Sequence, residues 1–209
     1  MLMNLEEIVK SGFNISGVLH IGAHFGEEIP HYRKLNIPSV LFEPHPNSFA
    51  VLIEKFKGSG DVILVDKALG KEQSKVVLYC ETANQGQSSS VLKPKKHLDH
   101  YPHIKFESTI EVEQITLDSY MDSMENSSLY NFINIDVQGY ELEVLKGATK
   151  TLKGIEHIMT EVNWDELYEG CVHIADLDRF LAEFGFKRIY LAPTEHGWGD
   201  AFYSKRNIV

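Results

Sequence analysis

Short apolar runs separated by helical repeats organise the chain. Val18, Leu19 and Ile21 form a run that stops at Gly22, with a second glycine at Gly26. That is how a buried parallel strand (17–21) hands its backbone to a turn and then to a helix. Gly22 permits a positive φ, and Gly26 removes a side chain where the next helix packs. A helix over 24–36 follows, then a strand over 39–42 that Pro44 and Pro46 forbid to continue. Asn47 reads as the N-cap of a helix whose Phe49, Leu52, Ile53 and Phe56 share one face. A third strand, 62–65, completes this rhythm, and a short amphipathic helix over 4–11 precedes it.

The rhythm breaks after Gly70. Residues 75–80 and 111–117 alternate as strands, residues 82–103 are polar and turn-rich, and Asp118 reads as the cap of a short helix. The segment from about 71 to 130 is an insertion with a hairpin and a mobile loop, such as lines a substrate site. Regularity returns with a strand at 132–135, a helix from Tyr140, a strand at 155–160, a helix from Asp176, and closing strands at 187–191 and 200–205. The expected fold is a single α/β domain over 1–209: a mostly parallel sheet, helices on both faces, and an antiparallel final strand.

Charge and cysteine content narrow the partners. A formal net charge of -10 disfavours a nucleic-acid backbone, which selects basic surfaces. The patch Lys93, Lys95, Lys96, His97 reads as a solvated face. No apolar run is long enough for a membrane span, and the N-terminal stretch, with Glu6 and Glu7, reads as an amphipathic helix and not as a signal peptide. Cys80 and Cys171 form no framework or metal pair, so a reducing cytoplasmic setting is expected. The oligomeric state is open.

Polar residues collect at the carboxyl ends of the parallel strands, where such sheets bind ligands. Gly22, Ala23, His24 and Gly26 follow the first strand, Glu43 the second, Asp66 the third, Asp136 the fourth and Glu161 the fifth. An acid at the end of strand two, about twenty residues after the glycine turn, accepts both hydroxyls of a ribose. A nucleoside-bearing cofactor is expected. NAD favours Gly-x-Gly-x-x-Gly, but His24 stands where the bare middle glycine would be. A ligand without phosphates, S-adenosylmethionine, fits better, and a closing antiparallel strand agrees with a methyltransferase sheet.

From about Val18 to Tyr203 the chain resembles the FkbM family of S-adenosylmethionine-dependent methyltransferases. The resemblance rests on HIGAHFGEE, FEPHP, DKALG, SSS, TLD, IDVQGYELEVLKGA, TEVN and GWGDAFY. It implies a Rossmann-like methyltransferase sheet and methyl transfer to hydroxyl groups, often on sugars or glycosylated products. One departure stands out: the family often has Asp-x-Glu-Gly where this chain has Asp136-Val137-Gln138-Gly139, so position 138 loses the charge of a general base. An N- or C-methyltransferase, or a nucleoside-binding module without catalysis, remains an alternative.

Roles follow from the chemistry. A sugar hydroxyl is a poor nucleophile at neutral pH and needs a base or a metal. Asp136 is expected beside the reactive methyl and Glu161 next to it; with Asn163 they offer oxygen ligands for a divalent cation, which is not required by the sequence. Asp66 and Ala68 are expected to flank the adenine. Ser88, Ser89, Ser90 and Gln138 are placed at the cofactor or acceptor edge, and His196, Trp198 and Asp200 in a late loop that closes over a sugar. His20 reads as a core histidine, His45 as part of its turn, and His97, His100 and His103 as loop histidines.

Overall fold

A computed structural model describes residues 2–3 and 5–206. In chain order the elements are α1 (Leu5–Lys10), β1 (Val18–Ile21), α2 (Ile29–Lys34), β2 (Ser39–Phe42), α3 (Pro46–Phe56), β3 (Val62–Val65), β4 (Ala68–Leu69), β5 (Ser74–Glu81), α4 (His97–His100), β6 (Phe106–Ile115), α5 (Leu117–Ser123), β7 (Phe132–Ile135), α6 (Glu141–Lys146), β8 (His157–Asn163), α7 (Ile174–Glu183), β9 (Lys187–Pro193) and β10 (Trp198–Ser204). Asn4, expected to open the first helix, lies outside the described residues. Among the described residues, no helix is long and apolar enough to cross a membrane.

The main sheet has seven strands in the order β3-β2-β1-β7-β8-β10-β9. Its core pairs, β1 with β2 and β7, β2 with β3, and β7 with β8, are parallel. The final strand β10 runs antiparallel between β8 and β9. Alternating side chains send apolar residues to opposite faces. On one face, Leu19, Ile21, Ile133 and Ile135 pack with Leu117 of α5, Leu145 of α6 and Leu181 of α7. On the other, Val18 and Phe132 pack with Leu5 of α1, Tyr32 of α2 and Leu52 of α3. Helices therefore cover both faces, as the pattern required. The expected insertion contains an antiparallel hairpin of β5 and β6, with β4 added along β6 in a separate three-stranded sheet.

Several local expectations shift. The cap of α3 is His45, whose Nδ1 accepts from Asn47 N with Pro46 at the first turn. Proline there fits the helix start because it has no N–H to satisfy. The cap of α5 is Thr116, whose hydroxyl accepts from Ser119 N at 3.0 Å. Asp118 instead reaches across to the turn after α6, accepting from Lys150 N at 2.9 Å and from Thr151 N and Oγ1 at 2.7 Å. Helix α6 stops early because Gly147 lies against Gly70: a Cβ there would sit 2.0 Å from the Gly70 carbonyl oxygen. Gly26 is needed for α3, since its Cβ would lie 2.7 Å from the Phe56 ring. Strand β8 runs on to Asn163 because β10 pairs along its whole length, so Glu161 lies inside a strand, one residue past the end of β7.

Asp118→Ala removes four hydrogen bonds, from Thr149, Lys150 and Thr151, that tie α5 to the turn after α6. It should lower unfolding stability by about 1–2 kcal/mol with an unchanged urea m-value.

Candidate active site

The ends of the parallel strands are knitted together before any side chain acts. Gly22 N and Ala23 N both donate to the Phe42 carbonyl, at 3.0 and 3.1 Å, and Asp136 N donates to the Ile21 carbonyl at 3.0 Å. Gly22 has φ +82°, and a Cβ on it would fall 1.9 Å from the Asp136 carbonyl oxygen. The two loops thus touch backbone to backbone. His24 and Gln138 also adopt left-handed conformations, φ +46° and +56°. Such positions are strained for side-chain-bearing residues and gather at functional sites.

Two clefts open at these ends. The first, about 620 Å³, is lined by Gly22, His24, Glu43, Ala68, Leu69 and Asp136, with apolar walls from Phe42, Leu78 and Val91. The second, about 1380 Å³, is lined by His20, His24, Glu27, Glu161, Tyr101 and Trp198, among others. Gly22, His24, Asp136 and Gln138 line both, so the clefts meet there.

Glu43 is buried in the first cleft. Its carboxylate accepts from His24 N at 2.8 Å and His45 N at 2.7 Å. Burial outweighs these bonds and pushes its pKa up to about 7. Each carboxylate oxygen keeps a lone pair for a further donor. His24 Nδ1 faces Glu27 Oε1 at 2.9 Å, and Nε2 faces the Gln85 carbonyl at 3.0 Å. Burial works against its charge, but these two acceptors prevail and raise its pKa. Gln85 belongs to a loop folded on Glu81, which accepts from Ala83 N, Asn84 N and, at 2.8 Å, Gly86 N.

Carboxylates crowd the junction. Gln138 Nε2 donates to Asp136 Oδ1 at 2.7 Å and to Glu161 Oε2 at 3.0 Å, while its Oε1 accepts from the Tyr168 hydroxyl at 2.8 Å. Glu141, fully buried, accepts from Val137 N and Gly139 N, each at 3.1 Å. Its other oxygen has no hydrogen-bond partner among the described residues. Burial, with Asp136 nearby, pushes Glu141 up to about 7. Glu161 is raised well above its ordinary value by burial and by Asp136, Glu141 and Asp200. Ligand oxygens of Asp136, Glu141 and Glu161 lie within 4.8 Å of one another, and Asn163 Nδ2 touches Glu161 at 3.4 Å. These hard oxygen donors suit Mg²⁺ or Ca²⁺, but the Gln138 amide already bridges two of them.

The other expected site residues divide. Ser89 and Ser90 line the first cleft and Ser88 the second; Ser90 Oγ donates to the Gln138 carbonyl at 2.8 Å. Trp198 lines the second cleft and its Nε1 donates to the Tyr101 hydroxyl at 3.0 Å. Asp66 is not brought in: its side chain is exposed, pairs with Lys67 at 3.1 Å, and lies on a different surface with Pro46 and Phe49. His196 packs edge-on against Tyr101 and lines neither cleft. Asp200 is buried, and its Oδ2 accepts from Leu2 N and from Met3 N at 3.1 Å. His20 lies in a buried network, its Nδ1 meeting the Tyr32 hydroxyl at 3.2 Å, while that hydroxyl accepts from Asn134 at 2.7 Å. Glu141, Tyr168 and Tyr101 were not singled out from sequence. An acid one residue after Gly139-Tyr140 could have marked Glu141 as a cap for its own loop; nothing local marks the two tyrosines.

Sheet order, antiparallel last strand and strand-end clefts define the Rossmann-like class of S-adenosylmethionine-dependent methyltransferases. Residues 20–188 match the Methyltransferase FkbM domain, and the chain belongs to that family. It is similar to the 2-O-methyltransferase NoeI of Sinorhizobium fredii, 29% identical over 174 residues that cover 80% of this chain and 71% of that protein. It is also similar to the hexuronic acid methyltransferase AglP of Haloferax volcanii, 26% identical over 123 residues, 58% of this chain and 46% of that one. Among solved structures, the methyltransferase FkbM from Methylobacillus flagellatus superposes with a TM-score of 0.59 at 14% identity, covering 91% of this chain and 43% of its own. Magnesium protoporphyrin IX methyltransferase from Synechocystis, solved with bound S-adenosylmethionine, gives 0.54 at 8% identity, covering 97% and 76%.

The raised carboxyls set a pH dependence. Folded Glu43 and Glu141 hold protons that the unfolded chain releases near 4.5, so stability should fall as pH rises from about 4.5 through about 7. Glu141→Gln keeps the acceptor for the loop amides and removes one charge. Its melting temperature should fall less between pH 5 and 8, with about 2–4 °C gained at the upper end per kcal/mol relieved.

Proposed function

We propose that this protein transfers the methyl group of S-adenosylmethionine to a hydroxyl of a sugar or glycan. The observation that carries the reading is the meeting of two clefts at Gly22, His24, Asp136 and Gln138. One is slot-like and partly apolar with a buried acid; the other is wide, polar and aromatic.

The first cleft fits the cofactor. Glu43 has acceptor capacity left for ribose hydroxyls, and Phe42, Leu69, Leu78 and Val91 provide apolar walls for a flat base. Ala68 is on this wall, and Asp66 has no part in it. Gly22, Ala23, His24 and Gly26 form the turn for the amino-acid end. Bound S-adenosylmethionine supplies an electrophilic methyl group on a sulfonium sulfur.

The second cleft fits the acceptor. Trp198 and Tyr101 offer ring faces to a pyranose, and Ser88 and Gln138 offer polar contacts. Glu161 lines only this cleft, and its raised proton affinity suits a group that takes a hydroxyl proton. Asp136, shared by both clefts, orients the attacking oxygen; orientation supplies much of the rate in such displacements. Gln138 holds the two carboxylates in place. The names of the two curated relatives, a 2-O-methyltransferase and a hexuronic acid methyltransferase, support oxygen on a sugar as the acceptor. The two cysteines are free and buried, which agrees with a reducing cytoplasmic setting.

Labelled S-adenosylmethionine offered with a glycan panel, with and without chelator, tests the reaction; label on a sugar oxygen is expected. Cofactor binding without transfer to any hydroxyl, or label on nitrogen or carbon, would overturn it. Glu43→Ala should weaken cofactor binding about 10–100-fold by calorimetry. Glu161→Gln should lower kcat about 10²–10⁴-fold while cofactor still binds; full turnover would remove its role as base.

A further inference from the structure

We infer that Tyr168 is a positioning residue whose hydroxyl fixes the Gln138 amide with its nitrogen towards Asp136 and Glu161; its effect on rate rests on the methyl transfer proposed above. Both ends of the Gln138 side chain are engaged. Its Nε2 donates to Asp136 Oδ1 at 2.7 Å and to Glu161 Oε2 at 3.0 Å, which uses both amide hydrogens. Its Oε1 accepts from the Tyr168 hydroxyl at 2.8 Å. Turned over, the amide would set its oxygen against the Asp136 carboxylate and its nitrogen against a hydroxyl that has a hydrogen to give. Burial, with Glu161, Asp136 and Glu141 nearby, raises the Tyr168 pKa, so the hydroxyl keeps that hydrogen.

The tyrosine is itself held from outside the site. It is fully buried in the segment between β8 and α7. Its chain neighbours are bonded to the inserted segment: Lys95 N donates to the Leu167 carbonyl and Glu169 N to the Lys93 carbonyl, each at 2.8 Å. The ring lies against the Gln138–Gly139 turn, where a Cβ on Gly139 would be 3.4 Å from Tyr168 Cδ2. Ser90 Oγ donates to the Gln138 carbonyl at 2.8 Å. The left-handed backbone of Gln138 is thus pinned by Ser90 and its side chain by Tyr168.

The hydroxyl has one hydrogen and a second acceptor in reach, the Ser88 carbonyl at 3.0 Å. The shorter contact favours the amide. The Ser88 loop is already held by Glu81, which accepts from Ala83 N, Asn84 N and Gly86 N. The consequence falls on the carboxyls. Burial, with Asp136, Glu141 and Asp200 around it, raises the proton affinity of Glu161. An N–H donor on a carboxylate acts the other way, so a correctly turned Gln138 holds Glu161 closer to its ionised form.

The test follows the Glu161 and Asp136 carboxyls across pH by carboxyl-carbon NMR, in protein labelled at Asp and Glu and bound to S-adenosylhomocysteine. Tyr168→Phe keeps the ring and removes the hydroxyl. The Glu161 midpoint should rise by about 0.5–1 pH unit, the size expected for one lost hydrogen bond. Gln138→Leu alone should give a rise at least as large, and Tyr168→Phe should add nothing to it, because the tyrosine acts through the amide. With an accepted sugar, Tyr168→Phe should lower kcat about tenfold, move the acidic limb of its pH profile upward and leave KM within about twofold. Unmoved carboxyls in Tyr168→Phe would overturn the inference, and faster release of S-adenosylhomocysteine would then mark the tyrosine as a tie for the Ser88 loop. An equal rise with and without Gln138 would also overturn it. So would a Gln138→Leu protein whose Glu161 titrates as in the unaltered protein, a comparison that stands whether or not Tyr168→Phe folds. If no glycan is methylated, the sugar reading fails while the carboxyl titrations still decide this inference.

Discussion

Buried carboxylates at the strand ends must find donors, and the loops of this protein are folded around that need. Glu43 gathers the amides of His24 and His45. Glu141 gathers those of Val137 and Gly139, and Glu81 gathers those of Ala83, Asn84 and Gly86. A desolvated carboxylate without donors is strongly disfavoured, whereas several backbone N–H groups can hold it. Each acid therefore fixes the shape of the loops whose amides it gathers, and these loops meet around the two clefts.

The same arrangement brings the carboxylates of Asp136, Glu141 and Glu161 together at the junction of the clefts. Gln138 is the one side-chain amide that bridges Asp136 and Glu161 among the described residues, and it does so from a left-handed backbone. A glutamate at this position would face two carboxylates with a third charge. A glutamine donates two hydrogens instead and keeps its neighbours apart and oriented.

His24 links the two sides. Its backbone donates to Glu43 in one cleft, its ring faces Glu27, and its far nitrogen reaches the loop at Gln85. The inserted segment is thereby tied to the glycine turn through one side chain.

Much of this was legible in the sequence because strand–helix alternation has a strong period and glycine, proline and acid punctuation is local. The buried runs gave β1, β2, β3 and β7, the acids at their ends gave Glu43 and Asp136, and the late pair of strands gave the antiparallel partner of β8. Helix caps were misread where a histidine or a threonine two residues earlier did the capping. What only the tertiary structure decided is which strand-end acids look inward. Asp66 and Glu43 are alike in sequence, each ending a strand, but Asp66 turns out to Lys67 while Glu43 is buried beneath the His24 turn. Glu141, Tyr168 and Tyr101 join the site only because distant loops converge on it. Asp200, expected over the acceptor, is carried by β10 to the backbone of Leu2 and Met3. Local pattern fixes the period of an element and the face it buries; the direction of a polar side chain at its end depends on neighbours dozens of residues away.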